Sequence, residues 1–444
     1  MKWALYNILF ALVYPFLLPG FLVRMLRRGG YAARMGDRFA LYPKGLFDVG
    51  RGLFDSHRAY APGPEGFVWV HAVSVGEVQV AGQFMREWRR IEPDVRFCFS
   101  TTSSTGWRMA EREVTERDAL IYNPLDFPNF VKSAIRTVRP RAIVLTESEI
   151  WPNFIRAARH HGIPLYLINA RVSDRSAPRY RLVRWWFGEV LASFTRIFAQ
   201  SDLDRDRLVA AGAPEGRIEV TGSFKFDVAA RNKAKERELR DWIGEGRILL
   251  GGSTWPGEDV ALLKVYRELL NSPTQPASLK LVIAPRHFEK ADAVEANIRA
   301  AGFACRRRSR ERTAGNAAPG GESGDRPAVF LADTTGELMG LYGIADTVFV
   351  GKSLCAHGAQ NMIEPCLCGK PTIVGPNTEN FRPVMSDLLA ANAIIQVRDE
   401  AELAQRIAAC LADDGGLGVR AQEAVKRRRG VVARCVAGIR EGNR

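Results

Sequence analysis

The sequence predicts an α/β protein of two doubly wound domains, led by a membrane-anchoring segment, and three observations carry that prediction. Short apolar runs alternate with amphipathic, helix-like stretches, the pattern of parallel strands joined by crossover helices. The series is interrupted once, by the polar stretch 229–242, and then starts again. The chain opens on an uncharged run, 3–23, followed closely by Arg24, Arg27, Arg28, Arg34 and Arg38. With 444 residues, 46% apolar and 25% charged, the chain holds ample material for a core, which excludes disordered, collagen-like and disulfide-scaffold classes.

Taken in order, the first element is an anchor, residues 1–28. Its basic exit places the body that follows in the cytoplasm. Asn7, Pro15, Pro19 and Gly20 interrupt the run, so crossing the bilayer and lying in one leaflet are both open. Residues 29–227 form the first domain, with candidate strands at 67–72, 96–100, 142–146, 165–169 and 196–200. Residues 228–444 form the second, with strands at 247–251, 280–284, 328–332, 347–350 and 371–374. The Arg-rich stretch 306–326, running into Gly, Pro and Ser, reads as a solvated loop.

The seven Cys show no CxxC or Cys/His zinc spacing and read as reduced, buried thiols. A net charge of +14 favours an anionic partner: nucleic acid, acidic lipid or a phosphorylated small molecule. GxxxxGK[ST], GxGxxG after the first strand, HExxH and GxSxG are all absent.

Open α/β sheets bind ligands outside the carboxyl ends of their strands, so polar residues there are the candidates. Ser74 and Glu77 follow the first strand with the spacing of a capping box, and a carboxylate at that place also suits a general base. Glu147 and Glu149 follow the strand at 142–146 and lead into Trp151-Pro152. In the second domain Gly251-Gly252-Ser253-Thr254 reads as an anion-binding turn. Pro285-Arg286-His287, Asp333 to Glu337 and Asn361 to Glu364 are the other polar turns. Asp202, Asp204 and Asp206 imitate a metal motif, but Ser201 and Asp204 fit a helix cap better.

The ordered segments HAVSVGEV (71–78), ESEIWPN (147–153), NARVSDRS (169–176), TGSFKFD (221–227), APRH (284–287), DTTGELMGLYGIAD (333–346) and NMIEP (361–365) resemble those of the Kdo transferases. That family moves 3-deoxy-D-manno-octulosonic acid (Kdo) from CMP-Kdo to lipid A precursors during lipopolysaccharide synthesis. The resemblance implies a GT-B fold, two Rossmann-like domains facing a cleft, at the cytoplasmic face of the inner membrane and its anionic lipids. By the same implication Glu77 is the proton acceptor, and Glu147 and Lys225 stabilise the transition state. Pro285, Arg286, Thr335, Gly336, Glu337, Asn361, Met362, Ile363 and Glu364 fall at the CMP site. The chain departs from the family in reading Gly351-Lys352-Ser353 where two glycines are common, and Ala359-Gln360 before Asn361.

No cofactor, metal or nucleic-acid partner is expected. The leaving group carries one phosphate, which a single cation and a helix N-terminus suffice to stabilise. Two other readings stand beside this one. A lipid-linked GT-B enzyme using a UDP sugar shares the anchor and fold. A membrane-tethered module binding acidic lipid or RNA explains charge and anchor, though not the polar turns at so many strand ends.

Overall fold

The computed structural model describes residues 2–28, 32–47, 66–227, 232–272, 278–313 and 328–442, and these divide into two units: Met1–Lys225 with Gly430–Arg444, and Phe226–Arg429.

The first unit is built on a seven-stranded sheet of β1 (Val68–His71), β2 (Phe97–Thr101), β3 (Ala119–Tyr122), β4 (Ala142–Thr146), β5 (Leu165–Ala170), β6 (Arg196–Ala199) and β7 (Ile218–Val220). The order is β3-β2-β1-β4-β5-β6-β7, every pair parallel. Central strands such as VWVH and AIVLT are buried along their whole length because helices cover both faces. Successive side chains therefore enter opposite cores: Trp69, Ile143 and Leu145 pack with Phe154, whereas Val68, Val70 and Val144 pack with Phe84 and Trp88.

The second core is closed by the last helix, Val431–Gly442, which adds Val432, Cys435, Val436 and Ile439. This differs from the expected second domain of 228–444. The apolar stripe at 432, 435, 436 and 439 needs a cover, and the face of the first sheet supplies it.

The second unit carries β8 (Ile248–Thr254), β9 (Lys280–Pro285), β10 (Ala304–Arg307), β11 (Ala328–Leu331), β12 (Thr347–Val350), β13 (Thr372–Val374) and β14 (Ile395–Gln396). Its order is β10-β11-β9-β8-β12-β13-β14, again parallel.

Two sequence expectations fail here. Residues 306–313 are not a solvated loop: Arg306 and Arg307 belong to edge strand β10, and Arg308 opens the helix Arg308–Thr313. Arg307 pairs with Asp292, Glu295 and Asp333, and Arg308 with Glu238 and Glu337, so acidic partners from neighbouring elements order the stretch. Residues 314–326 of that stretch lie outside the described residues. The Gly251-Gly252-Ser253-Thr254 turn is instead the end of β8, fully buried. A Cβ on Gly251 would lie 2.4 Å from Leu262, and one on Gly252 2.7 Å from the Tyr342 ring, so packing requires the glycines.

The N-terminal run forms the helix Lys2–Arg28. One face docks on the first unit: Tyr6 stacks on Trp186 (5.2 Å), and Phe10 and Tyr14 meet Phe127 edge-on (5.0 and 5.6 Å). The Tyr6 hydroxyl donates to Asp126 (2.9 Å), and Asn153 donates to Asn7 (2.7 Å). The other face leaves Leu5, Ile8, Leu9, Leu12, Val13 and Phe16 exposed. Among the described residues no helix is long and apolar enough to cross a membrane.

Arg34 and Arg38, read as part of a basic exit, are used internally. Arg34 pairs with Asp37, and Arg38 is buried, donating to the Thr102 carbonyl (2.6 Å) over the Tyr122 ring.

Asp126 is the polar anchor of this docking. It also accepts from the Asn153 and Phe154 N–H groups (3.0 and 2.8 Å), and burial pushes its carboxyl up to about 7 against the pull of these donors. Tyr6→Phe keeps the ring contacts and removes one donor. Loss of about 1 kcal/mol, seen as a melting temperature lower by ~2–4 °C, is the expected result in a thermal scan.

Candidate functional site

In the first sheet the strand order reverses between β1 and β4, and in the second the chain goes from β8 to β9 on one side and returns to β12 on the other. Neighbouring connections diverge to opposite faces there and open a crevice.

At the first switch point Ser74 caps the helix Val75–Ile91, its Oγ accepting from the Glu77 N–H (3.2 Å). Glu77 reaches back: its carboxylate accepts from the Ser74 hydroxyl (2.8 Å) and from the Val73 N–H (2.9 Å). The capping box is formed, and it holds the carboxylate at the carboxyl end of β1. Thr146 Oγ1, at the end of β4, lies 3.4 Å from Glu77 Oε2.

Glu147 follows β4 in a left-handed conformation (φ 51°), and Asn169 on β5 shares it (φ 52°). Such strain persists only where surroundings enforce it, and it clusters at functional sites. Asn169 is the tie: its amide N–H donates to Glu147 (3.2 Å), and its oxygen accepts from the Phe224 N–H (3.1 Å). The short turn Phe224–Phe226, which carries Lys225, is thereby fixed beside Glu147.

Burial, then the charge of Glu77, raises the Glu147 carboxyl, while Arg171, Lys225 and Asn169 oppose the rise. Burial lowers Lys225, and Glu147 holds it up. Glu149, noted in the sequence without a role, is pushed up to about 8 by burial and by Glu77, against the Trp151 N–H that donates to it (3.0 Å). The first unit thus gathers Glu77, Glu147, Glu149 and Lys225 at the ends of β1 and β4. The Asp202, Asp204 and Asp206 run is structural. Asp204 accepts from the Val172 N–H (2.9 Å) and pairs with the cap Ser201, and Arg205 engages the other two.

In the second unit Asn361 Oδ1 accepts from the Ile363 N–H (3.1 Å), and its amide donates to Glu364 (3.0 Å). Burial raises Glu364, with Asn361 and Arg286 pulling it down, which places Arg286 within electrostatic reach of this carboxyl. Met362 and Ile363 are fully buried core residues, so they offer a ligand only backbone. Thr335 and Gly336 are exposed after β11. Glu337 is buried with its carboxylate bonded to Arg308 and Thr334, whose pull outweighs burial and holds it below the usual range. Pro285 ends β9, and the Arg286 N–H donates to the Thr254 carbonyl (3.0 Å).

Sequence reasoning missed Glu258. This fully buried carboxylate accepts from the N–H groups of Trp255, Lys352, Ser353 and Leu354 at 2.8–3.0 Å, and so shapes the loop after β12. Its place in the first turn of an amphipathic helix was the available signal, and capping accounts for that pattern equally well.

A profile described as 3-deoxy-D-manno-octulosonic-acid transferase (kdotransferase) matches residues 33–228. The chain is 36% identical over 377 residues to the 3-deoxy-D-manno-octulosonic acid transferase of Bordetella pertussis, covering 83% of each chain. It is 30% identical over 379 residues to the transferase of that name from Haemophilus influenzae, covering 85% of this chain and 82% of that one. In fold it is similar to the Anabaena protein HepE in complex with UDP, with a TM-score of 0.55 and 13% identity over 84% of this chain and 100% of the other.

Asn169→Ala removes a buried oxygen, orphans the Phe224 N–H and puts a residue less tolerant of left-handed backbone at φ 52°. Denaturant unfolding should show the first unit weakened by about 1–3 kcal/mol.

Proposed function

The chain belongs to the 3-deoxy-D-manno-octulosonic acid (Kdo) transferase family, and from that membership we propose that it transfers Kdo from CMP-Kdo to a lipid A precursor, with Glu77 as the base of an inverting single displacement. The observation that carries the reading is the meeting of Glu77, Glu147 and Lys225 at the β1/β4 switch point. In the displacement the acceptor hydroxyl gives its proton to the Glu77 carboxylate as its oxygen bonds the anomeric carbon of Kdo. The bond from that carbon to the phosphate breaks, and CMP leaves with the electron pair.

Two hydrogen bonds from Ser74 and Val73 fix the Glu77 carboxylate, so little reorganisation is needed at the moment of proton transfer. Lys225, held opposite Glu147, supplies positive charge where negative charge develops. A leaving group with one phosphate needs no metal in this scheme. Arg286, Asn361 and Glu364 suit the nucleotide: a guanidinium for phosphate, and an amide-oriented carboxylate for ribose hydroxyls. Glu337 joins them only through backbone, its carboxylate being bonded to Arg308.

The acceptor is a lipid, and the helix Lys2–Arg28 suits that surface. Its exposed stripe at 5, 8, 9, 12, 13 and 16 follows helical spacing opposite the docked face, the arrangement of a helix lying in the interface of the cytoplasmic leaflet of the inner membrane.

Incubation with CMP-Kdo and a lipid A precursor in the presence of a chelator should raise the acceptor mass by that of a Kdo residue, which is Kdo less one water. Glu77→Gln should slow that transfer by about 10²–10⁴-fold. An unchanged acceptor mass overturns the substrate reading, and dependence on an added divalent ion overturns the metal-free scheme. Replacing Leu9, Leu12 and Phe16 with Gln should release the protein from anionic vesicles in a flotation assay. Its melting temperature should hold, because these side chains face solvent in the protein alone.

A further inference from the structure

His71 ends β1, fully buried, and its two ring nitrogens are unlike. Nδ1 lies 3.2 Å from the Ser100 carbonyl oxygen and 2.9 Å from Ser100 Oγ. A carbonyl oxygen only accepts, so Nδ1 carries the ring proton. Ser100 Oγ is consistent with this, since it accepts from Trp69 Nε1 (2.8 Å) and has Asn123 Oδ1 at 3.3 Å to receive its own proton. Nε2 is then a bare lone pair, buried and without a hydrogen-bond partner, and it faces Glu149 Oε2 at 4.0 Å. A buried acceptor calls for a donor. Glu149 provides one only while its carboxyl is protonated.

We propose that Glu149 is a positioning residue for the transfer, holding one proton toward His71 Nε2 so that the carboxyl next to the base Glu77 is neutral when the anionic substrates bind. The inference rests on the reading of Glu77 as base. No bond to substrate is made or broken by the pair; the proton stays on the carboxyl, which faces the imidazole.

The groups facing Glu149 are Glu77 from the helix Val75–Ile91, Glu147 from its own loop, His71 from β1, Trp151, and Tyr180 from the helix Ala177–Leu182. Lys225 and Arg171 act on Glu147. Burial and the two neighbouring carboxylates push Glu149 up to about 8, and burial pushes His71 down to about 4, so at neutral pH the proton sits on the carboxyl. Because the folded value is raised, Glu149 is neutral below about 8 and ionises above it, adding a negative charge beside Glu77.

The test is kcat/KM for Kdo transfer against pH, in the full chain. Wild-type protein should lose activity as pH rises through about 8. Glu149→Ala should be slower throughout. Glu149→Gln, whose amide donates at every pH, should regain part of that loss and move the alkaline fall to higher pH. A fall with an unmoved midpoint in Glu149→Gln, or a Gln variant as slow as Ala, overturns the proposal.

Carbon-13 NMR of protein labelled at the glutamate carboxyl gives a second reading on wild-type protein, free of variant stability. One glutamate should titrate near 8 and vanish from the spectrum in Glu149→Asp. Its absence overturns the proposal whether or not transfer occurs, whereas full activity in Glu77→Gln overturns the base reading and leaves this titration untouched.

Discussion

Like charges held together out of water repel strongly, and the first unit places Glu77, Glu147 and Glu149 within each other's field at the ends of β1 and β4. Much of the surrounding structure answers that constraint. Ser74 and Val73 donate to Glu77, Asn169 donates to Glu147, Trp151 donates to Glu149, and Lys225 and Arg171 offset the charge of Glu147. The left-handed backbone of Glu147 and Asn169 is part of the same arrangement, strained locally and held by the strands on either side. Removing Asn169 takes away the amide donated to Glu147 and leaves the Phe224 N–H without its acceptor, which costs more than an ordinary hydrogen bond contributes.

The second unit meets a related requirement with opposite means. The loop after β12 would expose several inward N–H groups with nothing to accept from them, and the single carboxylate of Glu258 satisfies them together. Gly351 permits the approach, since a Cβ there would come within 2.4 Å of the Ser253 oxygen. The Lys352-Ser353 departure from a glycine pair is accommodated because Lys352 takes a left-handed φ of 59° under that anchorage.

The N-terminal helix links the two halves of the chemistry in a different sense. Its inner face is bonded through Tyr6 and Asn7 to Asp126 and Asn153, and Asn153 closes the ESEIWPN segment that begins with Glu147. The segment that meets lipid in the proposed function is thus docked on the segment that carries the site.

The interior of both sheets was legible in the sequence. Ten strands read from apolar runs are the ten interior strands, because burial on both faces demands continuous apolar residues. The four strands that were not read, β3, β7, β10 and β14, are the two edges of each sheet. β7 and β10 lie half or more exposed and β14 is only two residues long, so sequences such as ACRR in β10 lack that signature, whereas β3 (ALIY) is apolar and largely buried and its exposure does not explain why it went unread. Sequence motif likewise singled out Glu77, Glu147, Lys225, Arg286, Asn361 and Glu364, and the fold sets Glu77 and Lys225 near Glu147, and Asn361 and Arg286 near Glu364.

It did not reveal that Glu337 turns to Arg308, that Met362 and Ile363 are core, that Arg38 is buried, or that the last helix returns to the first unit. Nor did it reveal that His71 presents an unpaired lone pair to Glu149. Residue type and spacing determine what a strand end can offer. Which charge is neutralised and which polar atom is left waiting depends on groups distant in sequence, and only the packed chain brings them within a few ångströms.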